Sequence, residues 1–181
     1  MGVGVGWDLP PGSEPWTSFH WFQPSTRATL VLVILNDQPV WYTGHFVAGR
    51  MCPCTGAGCE YCDAGIGAQV RYAFAVAETT SRRAGLIEFG VSNGQLIHDW
   101  VHRRMTLRGM VIEVTKSSTH RQSRTNVAYA DQAAPVWIDS ITAPDPALAL
   151  YLTWHRAGLK MPAAFQEMMS EFTRSRTTRR S

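Results

Sequence analysis

The chain has 181 residues, 45% of them apolar and 17% charged, with 17 Lys and Arg against 14 Asp and Glu. That is one domain with an appendage, apolar enough for a core and unlike a disordered polyelectrolyte. No run approaches the ~20 apolar residues of a membrane span, and the N-terminus lacks the basic and apolar regions of a signal peptide. The expected setting is therefore intracellular and reducing, the cytoplasm, where thiolates stay available for metal.

Residues 1–27 are rich in Gly, Pro, Ser and Trp and carry no period, which reads as an arm packing through Trp16, Phe19, Trp21 and Phe22. The apolar, β-branched run 28–35 predicts a buried strand and Asn36 to Pro39 a turn. Val40 to Ala48 predicts a second strand, bent or bulged near Gly44. After a cysteine-rich segment, Val70 to Glu78 alternates as a third strand, with Val70, Tyr72, Phe74 and Val76 on one face and Arg71 on the other. Leu86 to Phe89 is a short strand, and Asn93-Gly94 opens a helix with the stripe Leu96, Ile97, Trp100 and Val101. Strands over Thr106 to Lys116 and Thr125 to Ala130 flank a polar, basic loop. Asp145 caps a helix with Pro146 at its first position and a stripe of Leu148, Tyr151, Leu152 and His155. A second helix starts near Pro162, with Phe165, Met168, Met169 and Phe172 in register.

This order predicts a mainly β protein with some α: an OB-like Greek-key barrel over 28–143, with a zinc knuckle inserted at 45–67. A helical hairpin over 144–173 and a basic tail over 174–181 follow.

All four cysteines fall between Cys52 and Cys62. Cys59 and Cys62 form a C-x2-C pair, the bite that brings two thiolates to one tetrahedral ion. Gly56 and Gly58 permit the turn that returns a second pair of ligands. That pair is either Cys52 and Cys54, giving an all-cysteine site, or His45 and Cys54, giving one His and three Cys. Four protein ligands close the coordination sphere, so the expected Zn2+ is structural.

Nothing in the sequence supports catalysis. Phosphate-loop, nucleophile-elbow, H-E-x-x-H and zinc-deaminase patterns are all absent. His98, Asp99 and His102 read as a solvated helix face, and nothing in the spacing of Glu88 and Glu113 demands a two-metal pair. The chain is expected not to be an enzyme.

Charge is uneven. Residues 1–101 carry five Arg against eight acids, whereas residues 102–181 carry twelve Lys and Arg against six. Trp41, Tyr42, Arg71, Tyr72, Phe74 and Tyr129 lie on predicted strands, and Arg103, Arg104, Arg108, Lys116, Arg121 and Arg124 supply positive charge. Base stacking competes with core packing for each aromatic. The combination predicts sequence-nonspecific binding of single-stranded nucleic acid, with DNA favoured. The alternative is a zinc-ribbon adaptor within a larger nucleoprotein complex, binding protein through the Met-rich helices.

The order of strand, His-bearing strand, cysteine pair and strand resembles the zinc-containing OB-fold single-stranded-DNA-binding proteins of T4-type phages. The resemblance spans about residues 28–131 and implies His45, Cys54, Cys59 and Cys62 as zinc ligands. It also implies a place in replication or recombination of a phage or mobile element. Cys52 is extra to that pattern. The end of the chain is basic, through Arg174, Arg176, Arg179 and Arg180, where such proteins end in an acidic tail. Those arginines are expected to meet nucleic acid or an acidic protein partner, or to take part in self-association.

Overall fold

The structure is a computed structural model that describes residues 19–104, 106–117, 124–167 and 170. Among these, seven strands form one antiparallel sheet: β1 (Leu30–Ile34), β2 (Val40–Val47), β3 (Arg50–Pro53), β4 (Ala68–Glu78), β5 (Ala84–Gly90), β6 (Val111–Lys116) and β7 (Thr125–Tyr129). The helices are α1 (Glu60–Asp63), α2 (Val91–Arg104) and α3 (Pro146–Arg156), with a 3-10 turn at Val136–Ser140.

The long β4 organises the sheet. One edge pairs with β2 over Ala68 to Ala73 and then with β1 over Val76 to Glu78. The other edge pairs with β5. β1 and β2 thus follow one another along a single neighbour, interrupted at 35–39. Asn36 bridges the interruption: its Oδ1 accepts the backbone N–H of Ala75 at 2.8 Å, a donor that the strand break would otherwise orphan. β1 also pairs with β6, and β6 with β7, so the sheet curls into a half-barrel.

Both faces are covered. Inside the curl, Leu32, Ile34, Phe74, Val76, Ile87, Phe89 and Ile112 form the main core, closed by Ile97 of α2 and by Phe22. Phe22 reaches it because residues 20–22 lie against β5, with Phe22 N–H donating to Leu86 O and Leu86 N–H to His20 O, each at 2.8 Å. On the outer face, Ile138 and its neighbours cover Val33, Leu35 and Ala75. Leu150, Trp154 and Phe165 cover Tyr42 and Ala73.

Several boundaries differ from expectation. β2 keeps continuous register with β4 from Val40 through His45, so there is no bulge at Gly44. Glycine is needed there because a Cβ would lie 2.9 Å from the Cys52 carbonyl oxygen. α2 begins at Val91, straight after β5, and places Leu96 in solvent. β6 begins at Val111, five residues later than expected, although Met110, Ile112 and Val114 are buried as expected.

α3 has the expected cap, with Asp145 Oδ1 accepting from Ala147 and Leu148 N–H. It turns the other stripe inward, however: Ala147, Leu150 and Trp154 are buried and His155 is exposed. The helix is apolar nearly all round, so period alone does not set its phase, and the bulky Trp154 takes the sheet. Residues 163–167 are helical, with Phe165 edge-on to Trp154 at 4.9 Å between ring centroids. Trp16, Phe172 and the tail lie outside the described residues, as do the side chains of Met168 and Met169. No helix among the described residues is long and apolar enough to cross a membrane.

Candidate metal centre and adjoining groove

β2 and β3 form a hairpin closed by the two residues Ala48 and Gly49, at φ 49° and 82°. Both are left-handed, as a type I′ turn requires. The hairpin sets His45 opposite Cys52, and Cys54 N–H continues the ladder by donating to Thr43 O at 2.8 Å. The chain then turns through Gly56 and Gly58, both at positive φ, into the single turn of α1. Cys59 stands at the N-cap and Cys62 within that turn, which points their thiols to one place.

The result is a cluster of His45, Cys54, Cys59 and Cys62 whose ligand atoms all lie within 4.8 Å of one another. His45 Nε2 is 3.5 Å from the Sγ of both Cys59 and Cys62, and Cys54 Sγ is 3.6 Å from Cys62 Sγ. His45 Nδ1 stands 2.9 Å from Ile66 O. A proton on Nδ1 satisfies that carbonyl and leaves the Nε2 lone pair facing the sulfurs, the outer hydrogen bond that orients a metal-binding imidazole. His45 is fully buried, a place imidazole tolerates only with both nitrogens engaged.

Burial lowers the proton affinity of His45, but contacts with Cys54, the Ile66 carbonyl and Cys59 outweigh it, so the net direction is upward. The Cys59 thiol is lowered to about 6, chiefly by backbone N–H groups of Cys62 and Thr55. The Cys62 thiol is raised to about 11 by Cys54, by desolvation and by Cys59. Without a cation the cluster favours one thiolate and resists the next; a bound ion relieves that repulsion.

Of the two ligand sets open in the sequence, the structure assembles the mixed one. Cys52 is buried opposite His45, outside the cluster, and acts on the Tyr61 hydroxyl, which it helps to push upward. The four assembled residues can hold a metal ion.

Beside this cluster, on the sheet face covered by α3, lies a groove. Its larger part, about 410 Å³, is lined by Arg71 of β4, Lys116 and Thr125, and Arg50 of the β2–β3 hairpin. A second part of about 240 Å³ continues past Tyr61 to Lys160. Arg50, Ala157 and Leu159 belong to both parts. At the floor, Tyr42 O–H donates to Glu88 Oε1 at 2.7 Å, and Arg71 Nη2 stands 3.8 Å from Glu88 Oε2. Burial pushes the Glu88 carboxyl upward, partly opposed by Tyr42 and Arg71. Burial, then Glu88, push the Tyr42 hydroxyl well above its ordinary value.

Of the residues expected to contact nucleic acid, Tyr42, Arg71 and Lys116 come together in this groove. Tyr42 is only 3% exposed and hydrogen-bonded, so it lines the floor and offers no ring face. Phe74, at 1%, belongs to the main core and is corrected from stacking platform to packing residue. Trp41, 62% exposed, and Tyr72 are cross-strand partners on the sheet face opposite Tyr42 and Arg71. Tyr72 also packs on the core beneath Gly94, and Tyr129 packs against Trp100.

Arg108 donates to Leu35 O and faces Asp139 at 3.6 Å, well away from the groove. Arg103 and Arg124 are exposed; Arg121 and the side chain of Arg104 lie outside the described residues. Glu88 and Glu113 sit on strands that do not pair with each other.

Sequence reasoning missed Arg50, Trp154 and Lys160 as groove residues, and it weighed Glu88 only as a metal ligand. An acid between Ile87 and Phe89 in an apolar strand was the available signal for Glu88.

No family model matches the chain, and neither a curated protein nor a solved structure is significantly similar to it.

Proposed function

We propose that this protein binds single-stranded nucleic acid along the groove, with zinc in the His45, Cys54, Cys59 and Cys62 cluster fixing one wall. Zinc–sulfur bonds of about 2.3 Å and a zinc–nitrogen bond of about 2.0 Å put tetrahedral vertices roughly 3.8 Å (S to S) and 3.5 Å (S to N) apart. The separations of 3.6 and 3.5 Å match that requirement. One His and three Cys leave no open position, so the ion serves structure.

The observation that carries the binding reading is the groove itself. Lys116, Arg71 and Arg50 line its larger part together with Trp21 and Phe46, and Arg50 and Lys160 line its second part together with Tyr61. Phe46 is 58% exposed, an open ring face on which a base can stack. Charges spaced along a channel track a phosphate backbone, and each stacked base contributes about 1–3 kcal/mol without demanding a sequence. We read the fold as OB-like, with β1 and β2 together as its long first strand, β4 and β5 as the next hairpin, α2 as the barrel cap, and β6 and β7 as the closing pair. DNA is the first substrate to try.

The test is titration of a fluorescent mixed-sequence single-stranded oligonucleotide at several salt concentrations. Binding with a log–log salt slope of about −0.7 per neutralised phosphate is expected. No binding near physiological salt would defeat the proposal and direct attention to protein partners.

A further inference from the structure

The four clustered residues divide by exposure. His45 and Cys59 are buried, whereas Cys54 is half-buried and Cys62 is open to solvent. The two reachable thiols are also neighbours, with their Sγ atoms 3.6 Å apart. Cys62 belongs to α1, a single turn that buries none of its residues. Joining the two sulfurs takes a movement of about 1.5 Å, and no buried side chain of that turn opposes it. Cys52, the remaining thiol, is buried outside the cluster. The same turn faces the groove: Cys59, Glu60 and Tyr61 line its second part together with Arg50 and Lys160. Thiolates kept deprotonated beside a cation and open to solvent are the ones that a soluble oxidant reaches.

Resting on the reading of the groove as the strand-binding site with a zinc-held wall, we propose that this wall is a redox switch, in which hydrogen peroxide joins Cys54 to Cys62 and weakens strand binding. The Cys62 thiolate attacks one peroxide oxygen and breaks the O–O bond, so that Cys62 becomes a sulfenic acid and hydroxide leaves. The Cys54 thiolate then attacks the Cys62 sulfur, forms the disulfide and expels a second hydroxide. The two thiolates give up two electrons, one peroxide is reduced, and two protons from solvent turn both hydroxides into water. His45 and Cys59 are left as ligands, too few for a closed tetrahedral site. The segment 54–66 then loses the order that ion binding supplies, and Tyr61 no longer walls the groove. A dithiol reductant takes back the disulfide by exchange, and its own thiols are oxidised in turn.

The test treats reduced, zinc-loaded full chain with limiting hydrogen peroxide and reads released zinc with a colorimetric chelator. Disulfides are mapped by mass spectrometry, where cleavage after Glu60 separates Cys62 from the other three cysteines and fragmentation assigns its partner. Zinc should leave in step with a Cys54–Cys62 disulfide. Affinity for a mixed-sequence single-stranded oligonucleotide should fall by about tenfold, within what one lost stacking platform costs, and return with dithiothreitol and zinc. Cys62→His keeps a closed ligand set without the oxidisable pair, so peroxide should neither release its zinc nor weaken its binding. Should Cys62→His take up no zinc, the wild-type disulfide map decides. Zinc retained under peroxide, or a disulfide made by Cys52 or Cys59, overturns the switch. An oligonucleotide bound equally well before and after oxidation overturns it too, while leaving strand binding intact. Reduced protein that binds no strand, or carries no zinc, defeats the proposed function and the switch together.

Discussion

Removal of the metal is the perturbation whose size follows most directly from the structure. The segment 54–66 has little else to hold it. α1 is a single turn that buries none of its residues, and its N-cap Cys59 makes no side-chain capping bond. Of the four clustered residues only His45 and Cys59 are buried. With zinc bound as proposed, the four ligands converge to order the segment, and the binding free energy of the ion becomes folding free energy. At a free metal concentration about 1,000 times Kd, linkage contributes roughly 4 kcal/mol. For a chain of this size each kcal/mol moves Tm by about 2–4 °C, so saturating chelator should lower Tm by about 8–16 °C. Scanning calorimetry with and without chelator, paired with elemental analysis, reads the effect. His45→Ala should lose the metal, and Cys52→Ser should keep one equivalent per chain. An unchanged Tm after chelation, or zinc below half an equivalent, would refute the reasoning. Retention of metal by His45→Ala with loss by Cys52→Ser would restore the all-cysteine set.

Two further outcomes are expected from single positions. Ala48 occupies the left-handed region at φ 49°, a strained place for a residue with a Cβ. Ala48→Gly should therefore stabilise the protein by about 1 kcal/mol, and a chemical denaturation midpoint that fails to rise would contradict the type I′ assignment. Glu88 has its carboxyl raised above 4.5 in the folded protein, so its contribution to stability is present below that pH and lost as pH rises through the raised value. The stability margin of the wild type over Glu88→Gln should shrink from pH 4 to pH 7, as read by urea denaturation; a margin that widens would show that Glu88 is held as a favourable ion pair with Arg71.

What the sequence made legible was local chemistry, and what it hid was register. The C-x2-C pair and the nearby His45 were visible as letters. The choice between His45 and Cys52 depended on the β2–β3 hairpin, which sets the two opposite each other and leaves Cys52 out of the cluster. β3 itself went unread because its four residues overlap the cysteine run and end at Pro53. Alternation in β4 correctly predicted a strand but could not say that its second half, Ala73 to Ala77, is buried on both faces. That burial removes Phe74 from any surface, and it follows from the segment after β7 folding back over the outside of the sheet. The phase of α3 was hidden for a related reason: a helix apolar on most sides is oriented by its largest ring, and Trp154 fits against Tyr42 at 4.9 Å. The groove emerges only from that packing, since α3 supplies the wall opposite the hairpin.

The claim that a strand follows this groove is tested most directly by comparing salt slopes between variants. Arg50→Ala combined with Lys160→Ala removes two cations from the groove. The exposed Arg103→Ala, on α2, removes one that lies outside it. With a mixed-sequence oligonucleotide, the double variant should flatten the log–log slope by about 1.4, two phosphate contacts at roughly 0.7 each, while Arg103→Ala leaves it unchanged. A slope untouched by the double variant, or flattened as much by Arg103→Ala alone, would place the strand elsewhere on the protein and contradict the proposed function.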